Sequence, residues 1–326
     1  PLRVTKPRGF IPSPILFDSG ARALRDAIRY ATQVADCHVI SISLGWFYNR
    51  QLHLAVREAE AANVIVCAAA GNYTPIVVWP AAYPEVVAVG GCNAARRPWV
   101  GTARGSSVDV SGPAEDVWVA SFTTQGHEGP AQSSGTSFAV ATVAGIAALW
   151  LAYHNREFLL DRYQGQFTLT DVFRYILARS SDSFPDPLTG IGLGVGIVNA
   201  RMVLKTPLPT LTEMRQRRLM AAFEPLPDTP VSRIASAFPD ISPSVMEQWL
   251  ATSLDIPTDE LNRRLDGLED EIVFHIATNA AHRAEIAASN QAVNTPPSDS
   301  TQAALAAPAT SLVDASLSTA LQSRIR

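Results

Sequence analysis

Residues Val64 to Ala70 form an unbroken apolar run that stops at Gly71-Asn72, and no other feature limits the possible folds of this chain so strongly. A strand with water on one face alternates apolar and polar side chains. A run without alternation belongs to a strand covered on both faces, as in a parallel sheet held between helices. The flanking sequence fits that setting. Asp18-Ser19 can cap a helix whose apolar positions Ala23, Leu24, Ala27, Ile28 and Ala31 recur at helical spacing. The strand Val39 to Leu44 follows, and Leu52, Ala55, Val56 and Ala59 mark a second helix before the buried run. Val86 to Gly90 predicts a further strand, and after a turn-rich stretch Gly135-Thr136-Ser137 opens a helix ending near Tyr153. Strands alternating with helices predict an α/β architecture with a mostly parallel sheet.

A chain of 326 residues exceeds one ordinary domain, which predicts a core of roughly 200 residues with something appended. Hydrophobic residues at 47% against 17% charged describe a soluble globular protein, and a net charge of −4 supplies no basic field for nucleic acid. No apolar run approaches the ~18 residues of a membrane helix, since Val143 to Ala152 leads into His154 and Asn155. Neither nucleic acid nor a membrane is expected as a partner. Cys37, Cys67 and Cys92 are an odd count without metal-ligand spacing. They read as small buried thiols, with a mild indication of a reducing compartment. Leu2-Arg3-Val4 reads as the tail of a strand whose beginning is missing.

Several segments in fixed order resemble the subtilase family of serine proteases. Ser134-Gly-Thr-Ser-Phe-Ala-Val-Ala-Thr-Val-Ala-Gly145 is similar to the family's nucleophile signature, with Thr142 where proline is usual; threonine fits inside a helix without breaking it. Ala68-Ala-Ala-Gly-Asn72 resembles the segment bearing the oxyanion amide, and Ile40-Ser-Ile-Ser-Leu-Gly45 the substrate-binding strand. Pro80 to Gly90, Val108 to Pro113 and the closing stretch Gly192 to Ala200 also resemble family segments. The resemblance implies a subtilisin-like three-layer α/β/α domain over residues 1–205 with its N-terminal strands missing. It implies a serine endopeptidase acting on peptide or protein substrates, with Ser137 as nucleophile and Asn72 as oxyanion donor. Ser43, Leu44, Gly45, Ala70, Gly71 and Thr136 would bind substrate. Calcium often supports relatives, but no acidic loop here has a ligand spacing for it, so neither metal nor cofactor is expected.

The chemistry explains these residue types. A serine hydroxyl is a weak nucleophile that needs exposure and an adjacent base, and a helix start favours developing negative charge. An Asn amide with the Ser137 N–H would give the tetrahedral oxygen two donors. An exposed strand end at Ser43-Leu44-Gly45 can pair with an extended peptide. Small residues at Ala69, Ala70 and Gly71 make the floor of a side-chain pocket small and apolar, and Trp46 narrows one wall.

The acid and the histidine of the triad are absent upstream. Asp18-Ser19-Gly20 spells an acid motif, yet only some twenty residues separate it from Ile40, too few for an intervening strand and histidine helix, so it reads as a helix cap. His38 sits at a strand entry, His53 and His154 lie on helices, and His275 and His282 belong to the tail. His127, ten residues before Ser137, is the one placed near a cleft, where a loop or substrate-rim role is the stronger reading. Three readings stay open: the downstream piece of a full protease, a peptide-binding pseudoprotease, or one chain of a split protease.

Beyond Ala200 the resemblance ends. Prolines at 207, 209, 225, 227, 230, 239 and 243 predict a linker over 206–244. A helical extension over 245–289 follows, with one helix through Val245, Trp249 and Leu250. A second runs from Thr258 to Ala284, capped by Thr258-Asp-Glu-Leu261. It is either a module for a protein partner or an appendage packed on the protease. From 290 to 326, Ala, Ser, Thr and Pro predict a disordered tail.

Overall fold

The computed structural model describes residues 2, 18–45, 48–122, 128–163, 165–186, 188–220, 229–238 and 241–294. Four strands, β1 (Val39–Ile42), β2 (Ile65–Ala69), β3 (Val87–Cys92) and β4 (Val110–Pro113), pair in parallel in the order β1-β2-β3-β4. Every residue of β2 and β3 is buried, as their lack of alternation requires. Helix α1 (Asp18–Gln33) precedes β1, and α2 (Arg50–Ala61) joins β1 to β2. The Asn49 side chain caps α2 by accepting from the Leu52 N–H at 3.0 Å, and the predicted stripe Leu52, Ala55, Val56 and Ala59 is buried.

Helix α3 (Thr136–His154) crosses all four strands. Alternation divides the sheet: Ile65, Cys67, Ala69, Val87, Val89 and Val110 share one core with Ala139, Val140, Val143 and Ala147 of α3. The intervening Val66, Ala68 and Ala70 are left for the face against α2. After α4 (Arg156–Tyr163), α5 (Leu169–Ser180) joins the α3 layer, with the Trp150 and Phe173 rings 5.4 Å apart. Helices on both faces of a parallel sheet give the α/β/α layering that the sequence predicts.

The turn-rich stretch before α3 holds more structure than its composition suggests. It contains β4 and an antiparallel pair, β5 (Val117–Phe122) with β6 (Glu128–Ser133). The closing segment runs along β4, where Ser111 N–H donates to the Gly196 carbonyl at 2.8 Å and Val198 N–H to the Ser111 carbonyl at 2.8 Å. Gly194, at φ +76°, passes so close that a Cβ would lie 2.3 Å from the Asp109 carbonyl carbon. Arg174 of α5 ties these pieces together. Its guanidinium donates to Asp109 Oδ1 at 2.8 Å and to the carbonyls of Pro84 at 2.6 Å and Val86 at 2.5 Å. Asp109 Oδ2 in turn accepts from the Ala88 N–H at 2.8 Å.

Helices α6 (Ala200–Lys205) and α7 (Leu211–Met220) complete a compact unit, Pro1–Phe223. A second unit, Glu224–Arg326, contains α8 (Pro230–Ser236), α9 (Pro243–Leu254), α10 (Thr258–Leu265), α11 (Glu269–Thr278) and α12 (Ala280–Asn294).

The proline-rich stretch 206–244 is therefore not simply a linker. Met214 of α7 joins the sheet core, and the Tyr163 hydroxyl donates to the Pro209 carbonyl at 2.9 Å. Pro230 and Pro243 open helices, a position where the missing N–H costs nothing. The single helix expected over 258–284 is three helices, interrupted at Gly267, whose φ is +79°, and at Asn279, which caps the next helix through its side chain. Pro257, without a side-chain cap bond, precedes α10, so Thr258 is a helical residue instead of its cap. Helix α12 continues to Asn294, and residues 295–326 of the expected tail lie outside the described residues.

Candidate active site

The ends of β1 and β2 and the start of α3 meet at one edge of the sheet. Ser137 is the second residue of α3, after an extended Gly135 in the cap position, and is half-buried. Its neighbour Thr136 is buried and makes the central contact: the Thr136 N–H and hydroxyl both donate to Asn72 Oδ1, at 2.9 and 2.7 Å. With the oxygen held by two donors, the amide cannot flip, and Nδ2 keeps its N–H groups for another acceptor. A Cβ on Gly135 would lie 3.2 Å from that nitrogen. Among the described residues no carbonyl is bonded to the Ser137 N–H, as expected for the first turn of a helix.

Asn72 reaches this position because Gly71 turns the chain off β2 at φ +121°, a conformation that suits glycine. The turn is held on both sides, by the Gly71 carbonyl accepting from Ala103 N–H at 2.9 Å and by the Asn72–Thr102 bridge. Gly71 N–H also points at the Thr136 hydroxyl, at 3.4 Å. From β1, the exposed Ser43 hydroxyl donates to the Ser137 carbonyl at 3.2 Å. The structure thus brings together Ser137, Thr136, Asn72, Gly71 and Ser43. Leu44 and Gly45 continue from Ser43 half-buried, while Ala70 is wholly buried and its carbonyl accepts from Val78 N–H at 2.9 Å. Val78 carried no signal in the sequence.

No described histidine stands at this site. His53 pairs with Glu85 at 2.8 Å and stacks on Tyr83 at 4.4 Å between ring centroids, so it is satisfied where it is. His154 ends α3, about 26 Å along the helix from Ser137 at 1.5 Å per residue, and burial holds its pKa below the usual range. His38 lies exposed before β1, and His275 and His282 belong to the second unit. His127 and Trp46 fall outside the described residues. All three cysteines are free, and burial pushes the Cys67 thiol up to about 12 and Cys92 up to about 11, which leaves both inert. Among the described residues no cluster suits a metal ion.

Helix α3 also corrects one reading of the sequence. By length and composition alone its 19 residues could cross a membrane, whereas no run of that size was expected. Half of that stretch is packed on the sheet. The outward face is a stripe of exposed residues, Ala141, Thr142, Gly145, Ala148, Leu149, Ala152 and Tyr153, with the half-buried Ser137 at its head. Leu149 keeps 58% and Tyr153 66% of its surface, and a Cβ on Gly145 would meet nothing within 4 Å. Among the described residues nothing pairs with the outer edge of β1 either.

Solved structures of similar shape include the Prenylagaramide maturation protease PagA (22% identity, 62% of this chain and 70% of that one, TM-score 0.49). The Patellamide maturation protease PatA is 27% identical over 61% of this chain and 68% of that one, with a TM-score of 0.46. The PatG macrocyclase in complex with peptide is 21% identical over 60% and 57%, with a TM-score of 0.47. A model of the subtilase family, peptidase S8, matches residues 18–192, which span the sheet, both strand exits and the start of α3: the chain belongs to the subtilase family of proteases.

Proposed function

We propose that this chain carries the nucleophile and oxyanion half of a serine endopeptidase. Ser137 Oγ attacks the peptide carbonyl carbon as its proton passes to a base. The carbonyl oxygen, now an anion, takes hydrogen bonds from Asn72 Nδ2 and the Ser137 N–H. As the tetrahedral intermediate collapses, the C–N bond breaks, the base returns its proton to the departing nitrogen, and an acyl-enzyme is left for water to hydrolyse. The observation that carries this reading is the pair of bonds from Thr136 to Asn72 Oδ1, which aims the free end of the amide beside the serine. Ser43, Leu44 and Gly45 would hold an extended substrate by main-chain bonds, with Gly71 opposite.

The base and its acid come from a further element lying on the outward stripe of α3. Two observations support this. Apart from Thr142 the stripe from Ala141 to Tyr153 is apolar and exposed, and Ser137 stands at its head. Small residues at 141, 145, 148 and 152 allow another helix to approach closely, within the 8–10 Å typical of packed helices.

The test is labelling of the chain by a fluorescent peptidyl phosphonate, with and without added imidazole as a diffusible base. The chain alone should not label. Imidazole should bring slow labelling that the Ser137→Ala variant lacks. Efficient labelling without imidazole would refute the missing base. Labelling that survives Ser137→Ala would refute the nucleophile. Peptide binding with no labelling under either condition would favour a pseudoprotease.

A further inference from the structure

Arginines from three helices gather round two buried tyrosine rings in the first unit. The guanidinium of Arg179 on α5 and that of Arg217 on α7 each lie 5.7 Å from the centroid of the Tyr175 ring, and that of Arg162 on α4 lies 5.8 Å from the Tyr163 centroid. Tyr163 is close enough to Tyr175 and Glu213 for both to raise its pKa, after burial, which is the larger cause. Arg215 of α7 joins the group: it donates to Gln166 Oε1 at 2.6 Å, and the Gln166 N–H donates to the Tyr163 carbonyl at 2.9 Å.

Among the described residues none of these four arginines forms an ion pair. Three acids in the neighbourhood are engaged elsewhere. Glu213 Oε2 accepts from the Thr210 N–H and hydroxyl at 2.7 and 2.8 Å, Asp109 is held by Arg174, and Asp171 accepts from the Thr168 N–H at 3.1 Å. Arg217 is half-buried, and burial, followed by the positive charge of Arg174, lowers its pKa, so its charge is held at a cost that the surrounding acids do not fully offset. A guanidinium lying over a ring keeps its in-plane N–H donors for a forked acceptor.

The patch lies away from the serine. Arg174, next to Tyr175, bonds to Val86 and Asp109 just before β3 and β4 begin, whereas Ser137 and Asn72 stand where β1 and β2 end. In a parallel sheet these are opposite ends, and the extended run 64–70 alone spans roughly 20 Å.

We propose that this patch docks an acidic segment of a protein substrate, whose carboxylates complete the pairing that Arg179 and Arg217 lack. The substrate role rests on the reading of Ser137 as a protease nucleophile; the docking itself does not. Arginine forks match carboxylates in geometry, and a spot around two rings, in a chain of net charge −4, is not the long basic stripe that a nucleic-acid backbone follows. A second contact at this distance tethers a substrate near the cleft without changing what the cleft accepts.

The experiment measures fluorescence anisotropy of a fluorescein-labelled peptide alternating Glu and Ala, and of its Gln and Ala counterpart, with the full chain. Wild type should bind the Glu peptide at least about tenfold more tightly than the Gln peptide, and added salt should weaken it. Arg179→Ala and Arg217→Ala should each weaken the Glu peptide about tenfold, with Arg217→Lys in between because it keeps charge without the fork. Arg97→Ala, at an exposed arginine beyond the other end of β3, should change nothing. Thermal melting confirms that each variant folds, and the exposed Arg179 keeps the test open if Arg217→Ala does not. Equal binding of the two peptides, or equal losses in Arg97→Ala and Arg179→Ala, would overturn the docking site. Single-stranded DNA that displaces the Glu peptide and binds more tightly would overturn the choice of an acidic peptide. Absence of phosphonate labelling at Ser137 with Glu-peptide binding intact would overturn the substrate role alone.

Discussion

Glu60 carries the sharpest stability prediction. It lies on α2, and its Oε1 accepts a hydrogen bond from the Thr168 hydroxyl, which also caps α5, at 3.1 Å. Burial, and after it the negative charges of Asp171 and Glu85, push its pKa from 4.5 up to about 7, while Thr168 and Arg174 pull the other way. A carboxyl that holds its proton more tightly folded than unfolded makes the fold less stable as pH rises from about 4.5 to about 7, and changes nothing outside that window. At ~1.4 kcal/mol per unit the full shift corresponds to ~3 kcal/mol, and because part of the carboxyl stays in water, screening reduces the expected effect to ~1–2 kcal/mol.

Glu60→Gln keeps an acceptor for Thr168 and removes the charge. Urea unfolding followed by circular dichroism should show the variant ~1–2 kcal/mol more stable than wild type at about pH 8 and equal to it at about pH 4. The wild type should lose stability between those limits and the variant should not. A variant that is less stable at high pH, or stabilised equally at both, would show that Glu60 is ionised without penalty and that the α2–α5 contact is not desolvated.

Three other substitutions test the scaffold and the site. Arg174→Met strips the guanidinium from Asp109 and from two carbonyls, and should cost ~3–5 kcal/mol in the same unfolding assay; adding Asp109→Leu should recover a large part, because no charge is then left unpaired. Gly194→Ala should cost at least about 2 kcal/mol, from a left-handed backbone and a Cβ driven into the Asp109 peptide. Asn72→Ala should slow imidazole-assisted labelling of Ser137 by ~10²–10³-fold and cost ~1–3 kcal/mol of stability, because the buried Thr136 N–H and hydroxyl lose their acceptor; an unaltered rate would remove Asn72 from the oxyanion site.

Much of the architecture was legible in one dimension because burial leaves a periodic trace. The unbroken run 64–70 and the stripe Leu52, Ala55, Val56, Ala59 each appear as expected, since a doubly covered strand and an amphipathic helix have different periods. The stretch between β3 and α3 did not announce itself. Its strands are short, β4 and β6 are rich in glycine, serine and proline, and β5 and β6 are exposed enough to look like loop. The second unit misled for the opposite reason: three short helices in sequence keep a heptad-like spacing of Leu and Ile, and only the backbone at Gly267 and Asn279 shows where they break.

By itself the sequence determined the sheet-and-helix order, the family, and which serine and which asparagine to look for, because those depend on local pattern and on short motifs. The tertiary structure decided what no linear pattern can carry. It set the two Thr136 bonds that turn the Asn72 amide, the gathering of arginines from three helices round Tyr163 and Tyr175, and the outward stripe of α3 with Ser137 at its head. Each depends on residues distant in the chain meeting in space. Side-chain direction and free surface are properties of that meeting, not of the residues taken one at a time.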